Sequence, residues 1–265
     1  MSAAVALTIA GSDSSGGAGI AADLKTFAAL GVYGACAVTA LTAQNTTGIV
    51  AIHEVPPALV TAQIEAVFSD LDVGAVKIGM LANAAVVEAV AAALARRRAR
   101  NVVLDPVLAA TSGEKLLAPG ATARLRELIA RVRVVTPNLA EAAILLDAPV
   151  ARDERQMQAQ AQGLLGLGAQ AVLLKGGHLD GEESVDVLVD AHGSERFAAP
   201  RIATRNTHGT GCTLSSAIAA GLAKGFSLRE AVRGAKLYVS AAIAAADRLS
   251  IGSGGGPLHH FYTWW

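Results

Sequence analysis

A glycine-rich turn leads into a helix of small residues within the stretch NTHGTGCTLSSAIAAGLAKG, which runs from Asn206 to Gly225. Glycines let the backbone approach an anion closely, and the first N–H groups of a helix point toward such an anion. The spacing therefore predicts a cradle for a transferring phosphoryl group, with four catalytic residues: Gly209, Thr210, Gly211 and Cys212. A glycine turn that only begins a helix would have the same sequence, so that alternative stays open.

Charged residues at other predicted strand ends would meet the same phosphates. Lys175 follows the apolar run AVLL, and we predict that it contacts phosphate, with Asn138 and Thr210 as further candidates for phosphate contact. Phosphoryl transfer requires Mg²⁺ held by oxygen ligands or their waters, and Asp105 and Glu141 are the candidate ligands. The ordinary alternatives are a turn-forming Asp105 before proline, a helix-terminal Glu141 carboxylate and an Asn138 N-cap.

These loops need a scaffold in which short apolar runs alternate with longer Ala/Leu-rich segments of helical period. That alternation predicts βαβ units, a mostly parallel sheet and one α/β domain over residues 1–265, with ligands beyond the carboxyl ends of the strands. The predicted strands are Val5–Ala10, Ala37–Ala43, Val73–Gly79, Asn101–Asp105, Val132–Thr136 and Ala171–Lys175, with a hairpin of Ser184–Val189 and Glu195–Ile202. The predicted helices are Gly19–Leu30, Pro57–Ser69, Ala84–Arg98, Ala121–Arg131, Leu139–Leu146, Arg155–Leu167, Gly211–Lys224 and Leu228–Leu249.

Composition narrows the classes of partner. Twenty-two Lys and Arg balance 22 Asp and Glu, so no general positive charge attracts nucleic acid or an anionic membrane, and we expect a small-molecule partner. No apolar run approaches the ~18 residues of a membrane span. The start of the chain lacks a basic segment before Lys25, which indicates a first strand rather than a signal peptide. Cys36 and Cys212 form no CxxC motif, which fits a reducing cytoplasm.

Common catalytic signatures are missing from the sequence. It contains no GxxxxGK[ST], no GxGxxG opening a helix after the first strand, and no kinase HRD or DFG motif. The GxSxG and HExxH motifs of serine hydrolases and zinc proteases are missing too. A less common type of phosphotransferase is the remaining interpretation.

A series of motifs resembles one known family along essentially the whole chain. In order they are GSDSSGGAGIAADLKTF, AQNTTG, KIGML, NVVLDPV, TPNLAEA, LLKGGH, NTHGTGCTLSSAIA and GPLHHFYTWW. They resemble the hydroxymethylpyrimidine/phosphomethylpyrimidine kinases of thiamine biosynthesis, in the ribokinase-like superfamily. The resemblance implies a homodimeric, three-layer α/β/α kinase with a mostly parallel central sheet. It also implies that Mg·ATP phosphorylates 4-amino-5-hydroxymethyl-2-methylpyrimidine to its monophosphate and then to its diphosphate.

The resemblance also assigns the pyrimidine site. Gln44 matches the pyrimidine-binding glutamine of the family, and its amide offers both a donor and an acceptor to an aminopyrimidine edge. Asp23 matches a second polar contact, and four residues match positions around the ring: Gly11, Ala18, Met80 and Val107. Without the family, Gln44 would be a polar strand end and Asp23 a carboxylate in the first turn of a helix.

Two roles for Cys212 stay open. Related sugar kinases carry an aspartate base in this loop, and a helix N-terminus with a neighbouring cation lowers a thiol pKa, so the thiolate is expected to accept the substrate's proton. In the other interpretation, only the backbone N–H of Cys212 contributes. The alternative functions are a pyridoxal or dual-substrate kinase, a silent nucleotide-binding regulator, and acyl transfer at Cys212 with His208 as base.

Several other segments are expected to be structural. Arg96–Arg100 is predicted to end a helix, and His259 with His260 to belong to a docked tail rather than a metal site. Trp264 and Trp265 are expected to be buried, within a subunit or across a dimer. Ser250–Pro257 is interpreted as a flexible connector, and Leu108–Leu117 as either a cover over the phosphates or a plain surface loop.

Overall fold

The fold is built on a single sheet of strands with helices on both sides, seen in a computed structural model that describes residues 3–109, 116–118, 120–177 and 179–265. The strands are β1 (Val5–Gly11), β2 (Tyr33–Asn45), β3 (Gly48–Glu54), β4 (Ala75–Ile78), β5 (Val102–Leu104), β6 (Val134–Val135), β7 (Ala171–Lys175), β8 (Glu183–Asp190) and β9 (Gly193–Pro200). The helices are α1 (Gly19–Ala29), α2 (Pro57–Asp70), α3 (Ala84–Arg96), α4 (Ala121–Ile129), α5 (Leu139–Leu146), α6 (Glu154–Gly166), α7 (Thr210–Ala223) and α8 (Leu228–Ala244), followed by a 3-10 turn at Ala246–Arg248.

The sheet has the order β3-β2-β1-β4-β5-β6-β7-β8-β9. Its centre, from β2 to β7, is parallel, and β3, β8 and β9 join antiparallel at the two edges. The predicted mostly parallel sheet and the β8–β9 hairpin are therefore confirmed. The carboxyl ends of the parallel strands all open on one edge, as ligand-binding α/β proteins require.

Strand β3 is the element that the sequence analysis missed. The segment GIVAIHE lies at the edge of the sheet and its side chains are mostly exposed, so it lacks the buried apolar run that reveals a parallel strand. Strand β2 is also longer than predicted, because Tyr33–Cys36 at its start pair with β1 and Gln44 and Asn45 at its end pair with β3. Helix α8 ends at Ala244, five residues before its predicted end at Leu249, and the 3-10 turn covers the difference.

Two apolar clusters cover the two faces of the sheet. One joins helices α2 to α6 to the sheet through residues such as Ile64, Val90 and Leu164. The other joins α1, α7 and α8 through Phe27, Ile218 and Val239. This is the three-layer α/β/α arrangement that the sequence predicts. Among the described residues, no helix combines the length and apolar character needed to cross a membrane.

The C-terminal tail is only partly docked. His259 and His260 are buried as predicted, and burial, with the nearby Lys25 and His259, lowers the pKa of His260 to about 4, so the ring is neutral at pH 7. The prediction that the tryptophans are buried is wrong for the single chain, in which Trp264 is 72% and Trp265 is 70% exposed. The Trp265 ring instead contacts the His259 ring at a tilt of 52°, with centroids 4.6 Å apart.

The two other segments that were expected to be structural have different outcomes. Helix α3 ends within this segment, at Arg96 rather than at the predicted Arg98, and both Arg96 and Arg97 donate hydrogen bonds to Glu65 on α2. The arginines of this segment thus tie two surface helices together. Most of Leu108–Leu117, which the sequence leaves as either a cover over the phosphates or a plain surface loop, lies outside the described residues, at positions 110–115.

Candidate active site

A cavity of about 400 Å³ opens at the carboxyl ends of the parallel strands. Every predicted site residue except Asp23 lines it: Gly11, Ala18, Gln44, Met80, Asp105, Val107, Asn138, Glu141, Lys175, Gly209, Thr210, Gly211 and Cys212. These residues come from seven separate loops or element ends of the chain. The structure thus brings them together in one cavity, and what each of them binds stays a prediction.

The glycine turn before α7 has the shape expected of an anion cradle. Gly209 is the N-cap residue with φ 82°, and a Cβ there would lie 1.9 Å from the Gly17 carbonyl oxygen, so no side chain fits. The first helical bond runs from the Thr213 N–H to the Gly209 carbonyl (2.8 Å), which leaves the Gly211 and Cys212 amides ahead of the ladder. The Thr210 N–H donates to the Thr207 carbonyl at 3.2 Å, so it belongs to the turn itself.

Lys175 lies directly beneath this turn. Its Nζ is 2.7 Å from Asp105 Oδ1 and 4.0 Å from Glu141 Oε2, and a Cβ added to Gly211 would lie 3.0 Å from the same nitrogen. Burial acts to lower the pKa of Lys175, but Asp105 and Glu141 outweigh it and hold the pKa above its ordinary value. The ammonium group therefore stays charged next to the cradle.

Asn138 and Glu141 form a capping box at the start of α5. Asn138 Oδ1 accepts from the Glu141 N–H (2.9 Å), and Glu141 Oε2 accepts from the Asn138 N–H (2.7 Å). Asn138 is thus an N-cap and Glu141 a helix-terminal carboxylate, as the ordinary alternatives proposed, and both residues still line the cavity. Burial raises the pKa of Glu141 to about 7, with Asp105 adding to the rise and Lys175 opposing it. A cation at this position would favour the charged carboxylate.

Asp23 lies beneath the cavity rather than in its wall. It is 0% exposed, and it accepts hydrogen bonds from Lys77 Nζ (2.8 Å), Thr8 Oγ1 (2.6 Å) and Ser216 Oγ (2.6 Å). A carboxylate held in this way has no face left for a ligand. The structure corrects the prediction of a direct polar contact, because Asp23 pairs with Lys77 instead.

Lys77 is a site residue that the sequence analysis missed. It is 0% exposed, yet its side chain reaches the cavity wall from the middle of β4. Burial acts to lower the pKa of Lys77, but Asp23, Cys212 and Asp105 together hold it above its ordinary value. A lysine inside the short apolar strand AVKI was the available signal, because an unpaired ammonium is not stable in such a strand.

The predicted fall in the pKa of Cys212 is wrong in this structure. Burial raises the pKa of the thiol to about 11, Asp23 and Asp105 raise it further, and Lys77 with the Gly19 N–H only partly opposes them. The expected cation is present, but the charge of Lys77 is already balanced by Asp23. In the free protein Cys212 is therefore a protonated thiol at neutral pH.

The first glycine loop holds a carboxylate of its own. Asp13 accepts from the N–H groups of Ser15 (2.9 Å) and Ala18 (2.8 Å), and its Oδ2 is 2.8 Å from His208 Nε2. Burial acts to raise the pKa of Asp13, but the bonds from His208 and Ser15 lower it to about 2. Since the loop amides already bind this internal anion, the loop is not a second phosphate cradle.

His208 connects this loop to the end of the cavity that Gln44 lines. The Nε2 atom that faces Asp13 is also 3.5 Å from Gln44 Nε2, and Gln44 Oε1 is 3.3 Å from Thr42 Oγ1. The sequence analysis named His208 only as a possible base for acyl transfer. Its close partner is instead the Asp13 carboxylate, 2.8 Å away.

Comparison with known proteins gives one consistent result. A family model described as phosphomethylpyrimidine kinase matches residues 13–259. The chain is 59% identical over 263 residues to the hydroxymethylpyrimidine/phosphomethylpyrimidine kinase of Rhizobium meliloti, covering 99% of this chain and 98% of that one. It is 55% identical over 261 residues to the enzyme of the same name from Salmonella typhimurium, covering 98% of each.

A solved structure agrees with this at the level of the fold. An ADP complex of Bacillus subtilis pyridoxal kinase superposes with a TM-score of 0.92 at 37% identity, covering 99% of both chains. The expected ribokinase-like architecture is thereby confirmed. Because the family match and the identities extend over nearly the whole length, this chain belongs to the phosphomethylpyrimidine kinase family.

Proposed function

We propose that this chain transfers a phosphoryl group from ATP to 4-amino-5-hydroxymethyl-2-methylpyrimidine, and then a second one to the monophosphate, in thiamine biosynthesis. The observation that carries the proposal is one cavity with a small apolar pocket at one end and buried cations beneath free helix amides at the other. The full-length relationship to pyrimidine kinases supports the identity of the substrate. The charge neutrality of the chain supports a small-molecule partner rather than nucleic acid or a membrane surface.

The pyrimidine end suits a flat ring with polar edges. Met80 and Val107 belong to a small apolar cluster, and a Cβ on Gly11 would lie 3.0 Å from Met80 Sδ, so the ring floor is closely packed. Gln44 supplies an amide at the wall, with Ala18 opposite on the first glycine loop. Apolar surface with a few fixed polar groups is typical of small-molecule sites.

The phosphate end suits the charge that develops in phosphoryl transfer. Lys175 and Lys77 lie beneath the turn, and the Gly211 and Cys212 amides point away from the helix ladder. Fixed donors of this kind stabilise a transferring phosphoryl group without reorganisation. We assign ATP binding to Lys175, Asn138 and Thr210, and substrate activation to the cradle of Gly209–Cys212.

Asp105 and Glu141 fit a magnesium ion that is shared with the phosphates. They are oxygen donors on either side of Lys175, and the described residues contain no cluster of three or more metal-binding side chains. Mg²⁺ usually keeps several waters and takes only one or two carboxylates in such sites. When bound, the ion neutralises charge on the phosphate oxygens. The buried Glu141, whose pKa is about 7, gains a partner for its charged form.

We also infer a cytoplasmic homodimer. Cys36 and Cys212 are unpaired thiols, which suits a reducing compartment. Four large apolar side chains are exposed on β2 and the edge strand β3, with Val50 at 81%: Tyr33, Leu41, Val50 and Ile52. An exposed apolar sheet edge favours pairing with a second chain.

The substrate assignment is tested by ADP release with three acceptors: the pyrimidine alcohol, its monophosphate and pyridoxal. We expect both pyrimidines to be phosphorylated, with a kcat/KM for the alcohol at least about tenfold above that for pyridoxal, or about 1.4 kcal/mol of discrimination. Gln44→Glu should raise the KM for the alcohol by about tenfold or more and leave the KM for ATP unchanged, because it removes the amide donor. Preferential turnover of pyridoxal would establish the alternative kinase, and no ADP release with any acceptor would refute kinase activity.

The role of the Cys212 thiol is tested by a pH profile. Since its pKa is about 11, the thiolate fraction grows roughly tenfold per pH unit between pH 7 and 9. If it is the base, log kcat rises over this range, and Cys212→Ala loses about 10² or more in kcat together with the slope. Cys212→Asp should recover activity without the slope. A Cys212→Ala variant with near-normal kcat and an unchanged profile would leave only the backbone N–H role.

The charge of Glu141 is tested by Glu141→Gln, which preserves the capping box. A carboxyl whose pKa rises from 4.5 to about 7 on folding stabilises the fold least when it is ionised, so stability falls as pH rises between these values. At pH 8 without Mg²⁺, Glu141→Gln should therefore melt at a higher temperature than the wild type. It should also need about fivefold or more Mg²⁺ for half-maximal activity. Unchanged Mg²⁺ dependence would remove Glu141 from the metal site.

The dimer is tested by light scattering, which should give twice the chain mass of 26.8 kDa. Val50→Lys places a charge on the exposed edge and should shift the particle toward the monomer, whereas Leu59→Lys on the exposed side of α2 should not. A monomeric wild type at micromolar concentration would contradict the inference.

A further inference from the structure

A glycine-rich segment, residues 252–257, bridges the two ends of the cavity from outside; we call it the C-terminal strap. Near its start, the Gly254 N–H donates to Thr46 Oγ1 (3.2 Å) in the β2–β3 turn. Further along, the Gly256 N–H donates to Asn206 Oδ1 (3.0 Å), and the Gly256 carbonyl accepts from the His208 N–H (3.1 Å). The segment that the sequence suggested as a flexible connector is thus hydrogen-bonded to two loops of the site.

Three of the strap glycines lie where no side chain fits, the first being Gly252, where a Cβ would be 2.1 Å from Thr46 Oγ1. A Cβ at Gly254 would be 1.9 Å from the Thr46 carbonyl oxygen, and one at Gly256 would be 2.3 Å from Asn206 Oδ1. The residue between them differs, because a Cβ at Gly255 would meet nothing closer than the Arg205 carbonyl oxygen at 3.6 Å. Gly256 is buried and Gly255 is exposed. The close approach is therefore confined to the strap's contacts with Thr46 and Asn206.

Each contact point is adjacent in sequence to a site residue. Thr46 follows Gln44 by two positions, at the end of the strand that forms the pyrimidine wall. Asn206 precedes His208 by two positions and the cradle by three, and its Nδ2 also donates to Asp247 Oδ1 (2.9 Å). Because Asn206 is held on both sides, its side chain cannot turn away from an added methyl group without losing a bond.

The residues that follow the strap anchor it to the body of the protein. Leu258, His259 and His260 are buried. His260 Nε2 is 3.0 Å from Thr213 Oγ1 on α7, and the Tyr238 hydroxyl on α8 donates to the His260 carbonyl at 2.8 Å. The strap is thus fixed at one end on the helix that carries the cradle and presses against the β2–β3 turn at the other.

We propose that the C-terminal strap sets the distance between the pyrimidine end and the phosphate end of the site, with Gly254 and Gly256 as positioning residues. Transfer requires the hydroxyl oxygen and the phosphorus to be held in a near-attack geometry, and a displacement of about 1 Å costs on the order of 10²-fold in rate. Gly254 governs the pyrimidine side through Thr46, and Gly256 governs the cradle through Asn206 and His208. The naming of the two ends rests on the proposed function.

Three one-methyl variants at consecutive positions test this: Gly254→Ala, Gly255→Ala and Gly256→Ala. Gly254→Ala should raise the KM for the pyrimidine alcohol by about tenfold or more, with kcat and the KM for ATP within about twofold. Gly256→Ala should lower kcat by about tenfold or more, with the pyrimidine KM within about threefold. Gly255→Ala is the matched control and should change neither constant by more than about twofold, since its methyl group would meet only the Arg205 carbonyl oxygen, at an ordinary contact distance of 3.6 Å.

A change in the KM for the pyrimidine alcohol in one variant and in kcat in the other distinguishes a positioning role from a general loss of stability. If Gly254→Ala and Gly256→Ala shift the same constant, or if Gly255→Ala behaves as they do, the strap does not set this distance. Should either alanine variant fail to fold, Thr46→Ala and Asn206→Ala remove the same hydrogen bonds without adding bulk and should shift the same constants by about threefold. Absence of those shifts would also overturn the proposal.

Amide hydrogen exchange gives a readout that does not need turnover. Gly256→Ala should accelerate exchange in residues 206–212, Gly254→Ala in residues 44–48, and Gly255→Ala in neither. If the wild type does not phosphorylate the pyrimidine but this pattern appears, the proposed substrate is wrong and the strap is upheld. If the wild type is active and exchange is unchanged in all three variants, the strap proposal fails and the function stands.

Discussion

The site depends on a row of buried charges of alternating sign at one edge of the sheet. In order, Glu141, Lys175, Asp105, Lys77 and Asp23 alternate between carboxylate and ammonium, and Asp105 lies between the two lysines. An unpaired charge is not stable at this depth, so each of the two lysines needs a carboxylate partner. The row therefore provides two paired cations in a chain whose net charge is zero.

The same row accounts for the state of Cys212. The carboxylate partner of Lys77 offsets most of the effect that the lysine's positive charge would have on the pKa of the neighbouring thiol. Burial is then the largest influence on that pKa, and the thiol stays protonated. Negative charge on Asp105 acts in the same direction. The helix N-terminus alone is too weak to reverse this, since its effect on a charge is of the order of 1 kcal/mol. A cysteine at a helix start is therefore not by itself a low-pKa cysteine.

The parallel sheet could be predicted because its strands are buried on both faces and read as continuous apolar runs. For the same reason the polar residues that follow those runs, such as Asp105 and Lys175, could be assigned to one edge. The exposed strand β3 gives no such signal. The lysine in the apolar strand AVKI indicates that Lys77 has a partner, but it does not indicate that the partner is Asp23, 54 positions earlier. No local pattern indicates the Asp13–His208 contact across 195 positions. Pairings of this kind depend on how the helices pack on the sheet, and no local sequence pattern reveals that packing.

The glycines around the site are explained by close packing more than by mobility. Three glycine-rich segments meet at His208: a Cβ on Gly17 would be 2.5 Å from its Cδ2, the Gly256 carbonyl accepts from its N–H, and Gly209 follows it in the chain. Backbones can approach this closely only where side chains are missing. Because His208 also faces Asp13, the three segments are connected through one ring. A shift in any of them therefore moves the imidazole, and with it the contacts that join the pyrimidine wall to the cradle.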